Sequence, residues 1–213
     1  MLRREYRQYP GSVLVTRGLT VRELLQQYFN IAFLMGKPQD LPAGRQQMKI
    51  GVALALITYV IALAVPYGIS RAVVQAVIDL GCTAFVLHIA LLLMGWKPRF
   101  EQAFGGLCGA SAFINLAALP LYTLRPSGPD SQGSSIGLLA DFVLLVWGLS
   151  LLGHVIRHTF EVSMVFSVVI SFVYFILLST LIATLMPLPS AIPSDLSFFQ
   201  GGAVIGMVHS TGG

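Results

Sequence analysis

The chain has 213 residues, of which 55% are hydrophobic and only 10% charged, with a mean hydropathy of +0.78. A soluble domain carries about 25% charge, and a chain this short keeps too much of itself at the surface for water to tolerate such apolar content. An ordinary water-soluble fold is excluded, and the net charge of +4 is distributed by topology rather than gathered in a nucleic-acid-binding patch.

Residues 1–49 read as a cytoplasmic N-terminal segment. The start is basic, but no apolar core of the cleavable signal type follows it. Thr20 and Glu23 form the Thr-x-x-Glu pattern of a capping box. Beyond it Val21, Leu24, Leu25, Tyr28, Ile31, Ala32 and Met35 recur at helical spacing, with Arg22, Glu23, Gln26, Gln27 and Asn30 on the other side. Gly36 and Pro38 are the stop signals. A helix over 20–35 is too short and too polar to span a bilayer. It is expected to lie in the cytoplasmic interface, or to dock on protein. Leu24, Leu25, Tyr28, Ile31 and Met35 would be its membrane-surface or partner face.

Five apolar runs then follow within 50–186, at Ile50–Ile69, Ala72–Met94, Ala103–Leu124, Ile136–Ile156 and Val162–Met186. A hydrocarbon core of about 30 Å needs roughly 20 helical residues. Helix is the required form, because open strands leave amides unpaired in lipid. The predicted turns are Ser70-Arg71, Gly95–Arg99, Arg125–Ser135 and Arg157–Glu161. Connectors this short make sequential helices antiparallel. Orientation follows from the basic residues. Arg3, Arg4, Arg7, Arg17, Arg22, Lys37, Arg45, Lys49, Lys97, Arg99 and Arg157 fall on the N-terminal side, and Arg71 and Arg125 on the other. The N-terminus is therefore expected in the cytoplasm. The Gly/Pro/Ser-rich tail 187–213, which has no Lys or Arg, is expected outside. The fold class is an all-α, polytopic bundle of about five transmembrane helices with an N-terminal amphipathic interfacial helix.

Ionisable groups inside spans are costly and mark candidate sites. Asp79, His88, Asp141 and His154 qualify, and Asn115 adds a neutral polar group. Asp79 and Asp141 lie on helices of the same direction, at similar expected depth. If those helices touch, the carboxyls could share a proton or bind a cation; otherwise each is solvated from the outer interface or bonded to a neighbouring helix. His88 faces away from Asp79 at nine residues' separation. His154 and His158 are one turn apart, a half-site for a metal, but they also suit a helix C-terminus, and no metal ligand set is assigned. Gly105 and Gly109 form a small-x-x-x-small packing seam, within the chain or between copies. Pro120 should kink the third span. Cys82 and Cys108 read as small packing residues. Phe166, Phe172, Tyr174 and Phe175 read as packing and lipid contact.

No phosphate-binding loop, His-Glu-x-x-His, Cys-x-x-Cys or Gly-x-Ser-x-Gly motif is present. No catalytic residue and no cofactor is expected. Two stretches carry a family resemblance. Phe100-Glu101-Gln102-Ala103-Phe104-Gly105-Gly106 leads through to Ala118-Leu119-Pro120. Leu145-Val146-Trp147-Gly148-Leu149-Ser150-Leu151-Leu152-Gly153 leads to Phe160-Glu161-Val162-Ser163. Together with the five-span layout they resemble the Yip1-domain family over roughly residues 45–186. That resemblance implies a membrane adaptor in its eukaryotic members, a bacterial inner-membrane setting here, and no catalytic residues. The expected function is a non-enzymatic scaffold or accessory subunit whose partners are the bilayer and other membrane proteins or itself. The alternative is a small transporter or channel using Asp79 and Asp141, which requires both carboxyls to line one cavity.

Overall fold

Thr20 starts the first helix as its motif predicts. Its hydroxyl accepts from the Glu23 amide at 3.3 Å, and its own amide donates to the Glu23 carboxylate at 2.8 Å. Helix α1 runs over Val21–Ala32 and stops before the residues that Gly36 and Pro38 would allow. Leu34 takes a left-handed φ of 62°, and the Met35 amide reaches back to the Asn30 carbonyl at 2.8 Å. That is a Schellman end with leucine where glycine is usual. Docking holds it there: the Trp147 indole donates to the Ala32 carbonyl at 2.8 Å, and His154 Nε2 meets the Gly36 carbonyl at 2.7 Å.

The computed structural model describes residues 20–123 and 135–186. The basic segment before Thr20, most of the predicted Arg125–Ser135 connector and the tail 187–213 lie outside them. After α1 come α2 (Arg45–Tyr67), α3 (Ile69–Leu93), α4 (Phe100–Thr123), α5 (Ser135–Phe160) and α6 (Met164–Leu185). All five are long and apolar enough to cross a membrane. The shortest, α6, has 22 residues, about 33 Å at 1.5 Å each. Its Val165, Val169, Phe172, Val173 and Leu177 face outward. An apolar exterior of this kind is matched by lipid, not water. Over the described residues the protein is an all-α polytopic membrane bundle of five spans with an added amphipathic helix.

Some boundaries differ from those read in the sequence. The turn after α2 falls at Gly68, with φ of 81°, so Ser70 and Arg71 belong to the first turn of α3. Glycine adopts that conformation at little steric cost. Helix α5 continues to Phe160, and Glu161 makes the turn at φ 54°, paired with Arg99 at 2.8 Å.

The end of the bundle that carries α1 and the starts of α2, α4 and α6 is termed proximal, the other distal. Helices α2 and α4 pack most closely. Their approach depends on glycine. A Cβ at Gly51 would stand 2.5 Å from the Gly105 carbonyl oxygen, and one at Gly105 would stand 2.9 Å from Met48 Cα. At Gly109 a Cβ would stand 2.3 Å from Tyr28 Cδ1. The Gly105–Gly109 seam is thus used inside the chain, by α2 and α1.

Two apolar clusters fill the proximal half. One joins Leu24, Tyr28, Ile31 and Ala32 of α1 to Leu41, Ala110, Leu151 and Val155. The other joins Ala55, Leu87, Leu91, Ala103, Phe104 and Cys108. The predicted outer face of α1 is therefore divided. Leu24, Tyr28 and Ile31 are buried in the bundle, while Leu25 and Met35 remain exposed.

Candidate functional site

The distal half is hollow where the proximal half is filled. A cavity of about 410 Å³ lies there, lined by all five spans. The polar side chains reach it through helical periodicity. On α3, Arg71, Gln75, Asp79 and Thr83 follow one another at intervals of four and make one stripe. On α4, Ser111, Asn115 and Tyr122 do the same at intervals of four and seven. Helix α2 adds Tyr59 and Tyr67, α5 adds Asp141, and α6 adds Tyr174 and Ser179. The remaining wall is mostly leucine, with Phe175 and Ile182.

Asp79 lies ten residues into α3, about 15 Å along that helix, and Asp141 lies six residues into α5, about 9 Å along its own. The two helices do not touch closely. Helix α3 packs on α2 and more lightly on α4 and α6, while α5 packs on α4 and α6. The cavity lies between them, and both carboxyls face it from separate walls.

The carboxyl of Asp79 is reached by the Tyr59 and Thr83 hydroxyls. Thr83 Oγ1 also shares a hydrogen bond of 2.7 Å with the Tyr174 hydroxyl. These hydroxyls replace some of the water that the group gives up on entering the membrane. Asn115 Nδ2 donates to Thr58 Oγ1 at 3.3 Å, and that hydroxyl donates to the Leu54 carbonyl at 2.8 Å. This ties α4 to α2 at the inner end of the cavity. At the distal end the Arg71 guanidinium donates to the Met186 carbonyl and sits 5.8 Å from the centroid of the Tyr67 ring.

Asp79, Asn115 and Asp141 are therefore brought together by one cavity, and the two histidines are not. His88 is exposed near the proximal end of α3, with its ring edge-on to Phe100 at 5.1 Å. His154 and His158 meet edge to face, with ring centroids 4.5 Å apart, beside the end of α1, where His154 meets the Gly36 carbonyl and Gln39 donates to the His158 carbonyl. The His154 ring and the His158 carbonyl thus fasten the 36–39 turn to α5. Among the described residues no three His, Cys, Asp or Glu side chains converge on a metal position. Cys82 and Cys108 are both free thiols, and Cys108 lies buried on the cavity wall.

Sequence reasoning missed the tyrosines and the threonine. Of the four aromatic residues expected to serve packing and lipid contact, Tyr174 and Phe175 line the cavity, whereas Phe166 and Phe172 are exposed on the outer surface. The signal was available in the four-residue spacing from Arg71 to Thr83, which puts every polar residue of that stretch on one face. Searches against family models, curated proteins and solved structures find no match to this chain.

Proposed function

We propose that the protein is a small transporter or channel whose distal cavity takes up a polar solute, with Asp79 and Asp141 as its charged contacts. One observation carries this reading: carboxyls from two separate helices line a single cavity inside a membrane bundle. Its volume of about 410 Å³ suits a small ligand, within the roughly 300–1,000 Å³ of small-molecule sites. An ionisable group in a span is expensive, and such groups mark solute or ion routes. The features that favoured a scaffold are largely spent inside the chain. The glycine seam serves α1 and α2, and three of the five face residues of α1 are buried against the bundle.

An N-terminus in the cytoplasm of a bacterial inner membrane completes the proposal. Lys37, Arg45, Lys49, Lys97, Arg99 and Arg157 belong to the proximal end and Arg71 to the distal end, which supports a distal cavity on the outer side. Membership of the Yip1-domain family is proposed on the five-span layout and the two stretches quoted above, and the resemblance assigns no role to any residue of the cavity. No chemical reaction is part of the proposal.

The test is purification of the full chain in lipid nanodiscs, as wild type, Asp79→Asn and Asp141→Asn, with mass spectrometry of bound small molecules and proteins. A small molecule retained by the wild type and lost from both variants is the expected result. Identical small-molecule content in all three, with a stoichiometric protein partner, would overturn the reading in favour of a scaffold.

A further inference from the structure

Resting on the cavity reading, the geometry points to a chemical class of ligand: we infer that the cavity takes a substituted ammonium ion. Three observations combine. The first is charge. Among the lining residues the ionisable carboxyls are Asp79 and Asp141 and the guanidinium is Arg71. Two acidic side chains against one basic one favour a cation over an anion in this cavity.

The second is the ring content. Tyr59, Tyr67, Tyr122 and Tyr174 line the same cavity, one each from α4 and α6 and two from α2. Tyrosine faces attract cations, most strongly where water is excluded, and aromatic enclosures are the usual means of holding alkylated ammonium groups. The cavity already contains one such contact, since Arg71 rests against the Tyr67 ring at 5.8 Å.

The third is the wall. Between the polar stripes it is apolar, with leucine the commonest residue and alanine, isoleucine and phenylalanine beside it. A small hard cation needs a shell of oxygen ligands; the two carboxyls come from separate helices, and among the described residues no three His, Cys, Asp or Glu side chains are grouped to hold a metal ion. Alkyl groups on nitrogen are suited to a leucine surface, and their charge needs no close ligand shell.

An ammonium of this kind arrives as a free solute or on a lipid headgroup, and the test separates the two. The full chain is placed in nanodiscs of phosphatidylglycerol, which carries no amine, and binding of tetramethylammonium and choline is measured by calorimetry beside the neutral isostere 3,3-dimethylbutanol. Both cations should bind, and the neutral compound at least about tenfold more weakly. Asp79→Asn should weaken the cations at least about tenfold. Tyr174→Leu should weaken them about three- to thirtyfold, the span of a cation–π contact, and Tyr174→Phe should restore binding to within about twofold. Inhibition of choline binding by phosphatidylcholine in the nanodisc assigns the ammonium to a lipid headgroup; undiminished binding assigns it to a solute. Equal binding of the neutral isostere, or equal losses for Tyr174→Leu and Tyr174→Phe, overturns the inference. If a neutral or anionic solute binds in an Asp79-dependent way and no ammonium does, the ammonium class falls and the cavity reading stands. If no solute of any class binds, both fall.

Discussion

Tyr28 links the amphipathic helix to two spans. Its side chain is fully buried, its ring lies against Gly109, and its hydroxyl donates to the Gln47 carbonyl at 2.6 Å. Burial removes the phenol from water and pushes its pKa up to about 12 from an ordinary 10.0, helped by the nearby Cys108 thiol. The folded value is the higher one, so the neutral phenol favours the docked state. Its contribution is complete below about pH 10 and is lost as pH rises through about 12. Undocking of α1 should therefore appear between those values as a change in Trp147 fluorescence, measured in a Trp96→Phe background, because the Trp147 indole holds the Ala32 carbonyl. Tyr28→Phe should remove that step. An unchanged step in the phenylalanine variant would assign it to another group.

At the scale of elements, the glycines sort into two kinds. Gly51 and Gly105 permit backbone approach between α2 and α4, whereas a Cβ at Gly81 on α3 would meet nothing within 4 Å. Gly51→Ala should force the helices apart and cost about 1–3 kcal/mol or more. Gly81→Ala should be neutral or stabilising by up to about 1 kcal/mol, because alanine is the better helix former. Thermal unfolding of both variants in detergent checks the contrast, and equal melting temperatures would contradict the packing described here. The Gly105–Gly109 spacing was legible in the sequence as a packing seam, but its partners were not. That α2 and Tyr28 occupy it depends on tertiary contacts between residues far apart in the chain. The capping box of Thr20 and Glu23 was legible because it is local. The early stop of α1 was not, since it is held by Trp147 and His154 from a distant helix.

Across the whole molecule, the five spans were readable because length and hydropathy alone determine what lipid will accept. The cavity was only half readable. Asp79, Asn115 and Asp141 stand out as polar groups in apolar runs, but whether they share a space depends on helix rotation and packing. That packing leaves the distal half hollow and fills the proximal half with the Leu24–Val155 and Ala55–Cys108 clusters. The tyrosines escaped notice because an isolated tyrosine in a span is as well suited to lipid contact as to a binding wall. The central claim is that a solute enters this cavity. The most direct measurement places a cysteine at Ser111, on the wall between Cys108 and Asn115, in a chain carrying Cys82→Ala and Cys108→Ala. Its reaction with a small water-soluble thiol reagent is compared with that of Ser70→Cys at the exposed distal turn and Leu177→Cys on the outer face of α6. Ser111→Cys should react, as Ser70→Cys does, while Leu177→Cys is shielded by lipid. A Ser111→Cys chain that stays as unreactive as Leu177→Cys, with Ser70→Cys fully modified, would contradict the claim.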